Sequence, residues 1–294
     1  MKLWINLYVN KMPQSIADGA LPWQRLAVVN KHPRDDNISF EESTHTYSID
    51  GDSTGWKSCT TIISHLYKHF DPDAIIAKMR KNKEKFATGP YYGKTDEEIK
   101  GGWNANGATA SEAGTRMHLD IEHYYNSDPV GNLAGDNYEP LESPEWTMFL
   151  EYQRKIGSKF KPYRTEWLVW DRSVMIAGSI DMVYRKPDGT LAIYDWKRAK
   201  EIKTENRYDN MLGPVSHLPD TNYWHYSIQL NVYRRILEEN YGERVTELAL
   251  VILHPINSKF QVLQLAMMPE EVDGIFAARK AAVAAGSAEP LVFD

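Results

Sequence analysis

Asp181, Asp195 and Lys197 stand on the two arms of one hairpin-forming stretch, and their types suit the hydrolysis of a phosphate ester. The first arm reads Gly178-Ser179-Ile180-Asp181-Met182-Val183-Tyr184-Arg185, and the second reads Thr190-Leu191-Ala192-Ile193-Tyr194-Asp195-Trp196-Lys197. Between them lies Lys186-Pro187-Asp188-Gly189. A two-residue type I′ turn with Asp188 and Gly189 at positive φ is one option. A type I turn with Pro at its second position and Gly as a left-handed bulge suits the sequence better. That turn pairs Lys186 with Thr190, Tyr184 with Ala192 and Met182 with Tyr194, and it carries on to Asp181 facing Asp195. Directly opposed residues share a sheet face, and Lys197, two positions past Asp195, shares it too. The tighter turn would set Asp195 opposite Met182 and separate the acids.

Two like charges facing each other destabilise a sheet, so this register calls for a cation. A hard divalent ion such as Mg²⁺ or Mn²⁺ takes carboxylate oxygens and leaves positions for water and phosphate. Such an ion polarises a phosphoryl oxygen and acidifies water. A neighbouring amine can orient or deprotonate that water, or offset charge growing on the phosphate. The alternative is a charged sheet face with an ordinary Lys–Asp pair.

The elements that must position these groups follow from periodicity and turn chemistry. A strand pair spans 38–49 around a polar turn at 41–44. A helix covers 60–67, with Ser58 or Thr60 as N-cap. A charged helix covers 73–86, and another begins at Thr95 with a Thr95…Glu98 capping box and continues through 112–125. Residues 131–137 form a loop, and 144–156 a helix begun by Pro144. Strands follow at 167–170, 175–184 and 191–196, then a helix at 226–240, strands at 248–253 and 261–265, and a helix at 269–285. The order predicts an α/β (α+β) fold with a mixed central sheet flanked by helices. One domain of residues 1–294 is expected, with 1–57 as an N-terminal extension carrying helical additions and 58–285 as the core.

The chain has 294 residues, 42% hydrophobic and 25% charged, which is an ordinary globular composition. Its net charge of −6 runs against nucleic-acid binding as a whole, yet local runs of one sign can still steer an anion. Basic runs occur at 78–85, 154–164 and 197–203. Cys59 is the single cysteine, so an internal disulfide, a cysteine-only zinc site and a four-cysteine iron–sulfur cluster are excluded. Lys2 and the short apolar stretch 3–9 lack the features of a secretion signal, and no run reaches membrane-spanning length. A soluble, intracellular protein is expected.

The spacing Gly178…Asp181, then Asp195-Trp196-Lys197, resembles motifs II and III of the PD-(D/E)XK nucleases. Gly114-Thr115-Arg116-Met117-His118 is similar to the upstream glycine–histidine motif of the RecB-type branch. Gln229-Leu230-Asn231-Val232-Tyr233 is similar to its downstream Gln…Tyr motif, and Thr60-Thr61-Ile62-Ile63 resembles a Thr-rich segment near the start of related exonucleases. The resemblance covers roughly residues 58–240 and implies a restriction-endonuclease-like core. It implies His118, Asp181 and Asp195 as metal ligands, with the Trp196 carbonyl as a further one, and Lys197 as catalytic. Gln229 and Tyr233, four apart on one helix face, would steady the lysine, the water or the DNA backbone.

Each of these residues has a plainer alternative. His118 can be a helix histidine with a structural hydrogen bond, and Gln229 and Tyr233 can be ordinary packing. Glu166 is either an additional ligand or a surface residue of an edge strand. Glu122 could orient His118 or approach a second ion. Thr60, Thr61, Arg116, Arg198 and Lys200 are candidates for phosphate contacts. Tyr91, Tyr92, Trp103 and Trp224 are candidates for stacking on unpaired bases, or for packing.

The expected activity is that of a Mg²⁺- or Mn²⁺-dependent deoxyribonuclease without an iron–sulfur cluster. It would be an exonuclease acting on single-stranded or processed DNA ends in recombination, repair or replication, as in phage and viral recombination exonucleases. The alternatives are an endonuclease of the same superfamily, a catalytically silent DNA-binding protein on the same fold, and a metal hydrolase of small substrates. No phosphate-binding loop of a motor is present, so progressive work on duplex DNA would need a partner protein or a ring-like assembly.

Overall fold

The computed structural model describes residues 24–287, 290, 291 and 293; the apolar stretch 3–9 beside Lys2 lies outside the described residues. Its frame is a six-stranded mixed sheet. β4 (Lys161–Asp171), β5 (Ile176–Arg185) and β6 (Leu191–Lys197) run antiparallel in turn. β7 (Val245–Ile252) lies parallel to β6, and β8 (Gln261–Gln264) pairs antiparallel with β7. The short β3 (Lys57–Ser58) pairs in parallel with Ile176 and Ala177 at the start of β5. A separate hairpin, β1 (Ile38–Glu41) and β2 (Thr46–Ile49), packs Ile49 against Trp170 and Ala177.

Helices cover both faces. On one lie α2 (Cys59–Ser64), α7 (Asn222–Asn240) and α8 (Pro269–Ala284), packed on Val183, Leu191, Ile193, Leu248 and Leu250. On the other lie α1 (Arg25–Val29), α5 (Asp96–Asn126) and α6 (Pro144–Lys155), packed on Met182, Tyr184, Tyr194, Trp196 and Val251. Odd and even positions of β5 and β6 thus feed opposite cores, as a strand's period of two demands. No helix of the described residues is long and apolar enough to cross a membrane.

The β5–β6 turn decides the register. Gly189 takes φ +83°, its N–H donates to the Lys186 carbonyl at 2.9 Å, and Lys186 N–H donates to Thr190 O at 2.8 Å. This is the three-residue bulged loop, and it pairs Arg185 with Leu191, Tyr184 with Ala192 and Met182 with Tyr194. The ladder then stops, one residue before Asp181 and Asp195. β5 is paired on this edge with β3 at 176–177 and with β6 at 182–185, so residues 178–181 face a gap between the two neighbours. That gap is where the candidate chemistry sits.

Some sequence-predicted elements are corrected. The charged helix 73–86 is two helices, α3 (Pro72–Lys81) and α4 (Lys83–Ala87), broken at Asn82. Asn82 leaves helical geometry at ψ 83°, and its side chain accepts from Lys85 N–H as a cap, the local bond that makes Asn a poor helix interior residue. The helix begun at Thr95 does continue through 112–125, as expected: it is one helix, α5, opened by the Thr95/Glu98 capping box. The loop at 131–137 contains a short 3-10 turn, Leu133–Asp136.

Candidate active site

Asp181 lies at the mouth of the gap. Its Oδ2 accepts the Trp196 N–H at 3.0 Å, a bond that takes the place of the missing ladder pair. From above, α5 lowers His118 into the same gap: its Nε2–H donates to the Trp196 carbonyl at 3.0 Å, and its Nδ1 stands 3.6 Å from both Asp181 Oδ2 and Glu166 Oε1. The Trp196 carbonyl, expected as a further ligand, is here the hydrogen-bond partner that turns Nδ1 toward the acids. Such partners set which imidazole nitrogen is free for a cation.

Glu166 reaches the cluster from the edge strand. Extending the β4–β5 register through Thr165↔Met182 and Trp167↔Ile180 puts it level with Asp181, but Glu166 itself leaves the ladder with φ +42°. A left-handed non-glycine residue inside a strand is strained by about 1–2 kcal/mol. Ser179 Oγ–H donates to Glu166 Oε2 at 2.9 Å and holds it there. Acids from β4 and β5 therefore meet at His118.

His118, Glu166 and Asp181 each offer one ligand atom within 4.8 Å of the others. Asp195 is turned to Lys197, whose Nζ lies 2.6 Å from its Oδ2, and the amine sits 4.6 Å from the centre of the Tyr226 ring. Asp195 and Lys197 do share a side of β6, as the period of two predicts. Asp181 instead turns into the gap, and its negative charge still reaches Asp195.

The electrostatics report crowded negative charge. Burial would push His118 down, but the Asp181 charge and the adjoining Glu166 raise it to about 9. Burial, and then the Glu166 charge, push Glu122 up to about 8, with His118 opposing. Burial raises Asp181, against the pull of His118 and Lys197. Burial and the Asp181 charge raise Asp195, against Lys197. Burial alone would lower Lys197, but Asp195 and Asp181 hold it above its ordinary value, so the amine stays charged at neutral pH. Mixed carboxylate and imidazole donors in a crowded acidic pocket suit a divalent ion such as Mg²⁺ or Mn²⁺.

Two variants separate strain from charge at Glu166. Glu166→Gly relieves the positive φ and is expected to raise the melting temperature of the metal-free protein, by about 1 kcal/mol of stability, while weakening Mn²⁺ binding. Glu166→Gln keeps the strain, and should weaken binding without that gain. Equal melting temperatures for the two variants would remove the strain argument.

Gly178 owes its place to Tyr233. A Cβ at 178 would lie 2.6 Å from Tyr233 Cε1 and 2.7 Å from its hydroxyl, so the ring passes directly over bare β5 backbone. Tyr233 is 3% exposed and accepts Gln229 Nε2–H at 3.3 Å. The two residues thus pair with each other, and it is Tyr226, about one turn before Gln229 and two before Tyr233, that lies against Lys197. Gly178→Ala is expected to push α7 from the sheet and destabilise the fold by about 1–3 kcal/mol, read as a fall in melting temperature. An unchanged melting temperature would show that the ring yields freely.

The remaining candidates lie around this centre in varied states. Arg116 is held by Asp120 at 3.0 Å and by the Glu139 carbonyl, and Arg198 by Glu145 at 2.6 Å. Lys200 is exposed. Thr60 and Thr61 Oγ atoms lie 2.9 and 2.7 Å from Ser58 Oγ, in the cap of α2. Trp103 Nε1–H donates to Tyr91 OH at 2.8 Å; Tyr92 is 67% exposed, and Trp224 packs against the core. Tyr226 and Ser179 were not legible as site residues, since only the α7 placement and the β4–β5 register bring them in.

A sequence model of the PD-(D/E)XK nuclease superfamily matches residues 134–291, more than half of the chain. The match includes Glu166, Asp181, Asp195, Lys197, Gln229 and Tyr233 and begins after His118. A solved structure from Eubacterium rectale, a provisionally assigned exonuclease, is similar with a TM-score of 0.42 at 12% identity, covering 79% of this chain and 79% of its own. No curated protein matches the chain.

Proposed function

Because the chain belongs to the PD-(D/E)XK nuclease superfamily, we propose that it is a Mg²⁺- or Mn²⁺-dependent deoxyribonuclease that degrades DNA from single-stranded or processed ends, similar to the RecB-type exonucleases that lack an iron–sulfur cluster. The observation that carries this reading is the meeting of His118, Glu166 and Asp181 within 4.8 Å beside the Asp195–Lys197 pair at 2.6 Å.

In this reading His118 Nδ1, Glu166 and Asp181 would hold the cation, and Asp195, now paired with Lys197, could add a further carboxylate. The bound ion supplies Lewis acidity to the phosphoryl oxygen and an acidified water. Lys197, kept protonated by its acidic neighbours, donates N–H bonds to the phosphate and offsets the charge that grows on it. Tyr226 packs beneath the amine, and Trp196, anchored by its ring among Tyr125, Phe149 and Tyr152, holds Asp181 through its N–H and His118 through its carbonyl.

The test is digestion of end-labelled linear and closed circular single-stranded DNA with Mg²⁺, Mn²⁺ or EDTA, by the wild type and by Asp195→Ala. Metal-dependent loss of linear DNA by the wild type, with the circle spared, is expected. Internal cuts in the circle would replace the exonuclease part with an endonuclease. Equal degradation by Asp195→Ala would remove the site assignment.

A further inference from the structure

α5 is packed at both ends and bare between them. Residues 104–112 are exposed on every face, whereas the C-terminal part carries His118 into the gap and the N-terminal part carries α3 and α4. Arg80 Nε–H donates to Asp96 at 2.9 Å, and Lys100 Nζ–H to Asp73 at 2.9 Å, fastening α3 to the start of α5. At 1.5 Å per residue the arm at Trp103 stands roughly 22 Å along the axis from His118.

The arm's chemistry differs from that of the chain. The protein has a net charge of −6, yet an open concavity at the α3–α4 elbow is lined by three exposed lysines, Lys78, Lys81 and Lys83, against one acid, Glu84, with Asn82 between. Among the described residues none of the three is in an ion pair. Two large aromatic rings of the same region are exposed. Phe70 is 65% exposed and leans edge-on at 5.5 Å against Trp103, itself tied to Tyr91. Tyr208 is 90% exposed, with Lys78 Nζ 5.9 Å from its ring centre. Tyr208 lies on the connection that leaves Lys197 at the end of β6 and returns to α7, and Lys68 clips its neighbour Asp209 at 2.8 Å. The Lys68–Asp209 and Lys78–Tyr208 contacts therefore join this connection to the arm.

We propose that Phe70 and Tyr208, with Lys78, Lys81 and Lys83, form a binding surface for single-stranded DNA remote from the cleavage centre. The inference rests on the nuclease reading for its direction toward the site, but not for binding itself. Lysines neutralise backbone phosphates without regard to sequence. Bare aromatic faces stack on unpaired bases and are closed to bases inside a duplex. The bare span of α5 separates arm from site by about six nucleotides of a stacked strand, so the arm engages long strands and leaves a single ester untouched.

The test is fluorescence anisotropy in EDTA, at several salt concentrations, with a labelled oligothymidylate long enough to span arm and site and with a duplex of equal length. Lys78→Glu/Lys81→Glu/Lys83→Glu is expected to weaken binding at least tenfold and to reduce the salt slope by about 2. Phe70→Ala/Tyr208→Ala should weaken binding of the single strand about tenfold and leave the duplex unchanged. Both variants should melt as the wild type does and hydrolyse a nitrophenyl ester of thymidine monophosphate at the wild-type rate. Wild-type affinity in both variants would overturn the proposal, as would equal loss on duplex by the aromatic variant. A wild type that binds the strand through these residues but hydrolyses neither DNA nor the ester would sink the nuclease reading and leave the surface standing.

Discussion

Lys197→Met is expected to lower DNA cleavage by a factor of about 10²–10⁴, the range for removal of one positioned proton donor or charge stabiliser, while Mn²⁺ binding remains. The amine lies 2.6 Å from Asp195 and is kept charged by it, and the methionine chain preserves the packing over Tyr226 without the charge. The variant also loses stability, because Asp195, 3% exposed, is left without its counter-charge. Breaking a buried pair in this way costs about 3–5 kcal/mol.

The pH dependence identifies the cause. Asp195 is already raised by burial and by Asp181, and without Lys197 it rises further. A buried acid whose folded pKa exceeds its unfolded value keeps full stability below the unfolded value and loses it as pH rises toward the folded one. The melting deficit against wild type should therefore be larger at pH 8 than at pH 5. Lys197→Met/Asp195→Asn removes both charges and should recover most of the stability but none of the activity. Recovery of cleavage in that double variant would refute the role of Lys197.

Asp181→Asn removes the acid that is proposed to hold the cation and that raises His118. Cleavage should fall below detection, and Mn²⁺ affinity by more than the roughly 10–100-fold that follows loss of an outer partner of a metal ligand. In the metal-free wild type His118 is raised to about 9 against the effect of burial, by Asp181 first and then Glu166. Since a cation must displace that proton, Mn²⁺ affinity should climb as pH rises toward 9, with proton release on binding. The stability that the metal-free protein draws from charged His118 is full below the ordinary histidine pKa and is lost as pH rises through about 9. Calorimetric titration in buffers of different ionisation enthalpy measures the release. Asp181→Asn should bind weakly and with less proton release; wild-type Mn²⁺ affinity in that variant would take Asp181 out of the site.

The hairpin was legible because its register is a local matter. Pro187, Asp188 and Gly189 choose the turn, Gly189 alone takes positive φ there without penalty, and every pair back to Met182↔Tyr194 follows from counting. The α5 capping box, the Ser58 cap and the alternation of β5 and β6 were readable for the same reason: each depends on residues within a few positions of one another. Asn82 was a near miss, since its capping preference competes with a strongly helical charge pattern and the outcome turns on one side-chain bond.

What lay beyond reading depended on residues far apart in the chain. Glu166 looked equally like a surface residue of an edge strand; its left-handed backbone and its bond from Ser179 exist only once β4 is laid along β5. Arg116 and Arg198 looked like free cations, but folding brings Asp120 and Glu145 to them. Tyr226 carried no motif and meets Lys197 only through the packing of α7. The amino-acid order by itself determined which acids and which amine stand on neighbouring strands, because turn type and the two-residue period of a strand are short-range physics. Only the tertiary structure decided that β6 peels from β5 after Tyr194, that His118 and Glu166 fill the opening and that Asp195 turns to Lys197. Those outcomes rest on long-range packing and on charges from distant parts of the chain crowded into one gap.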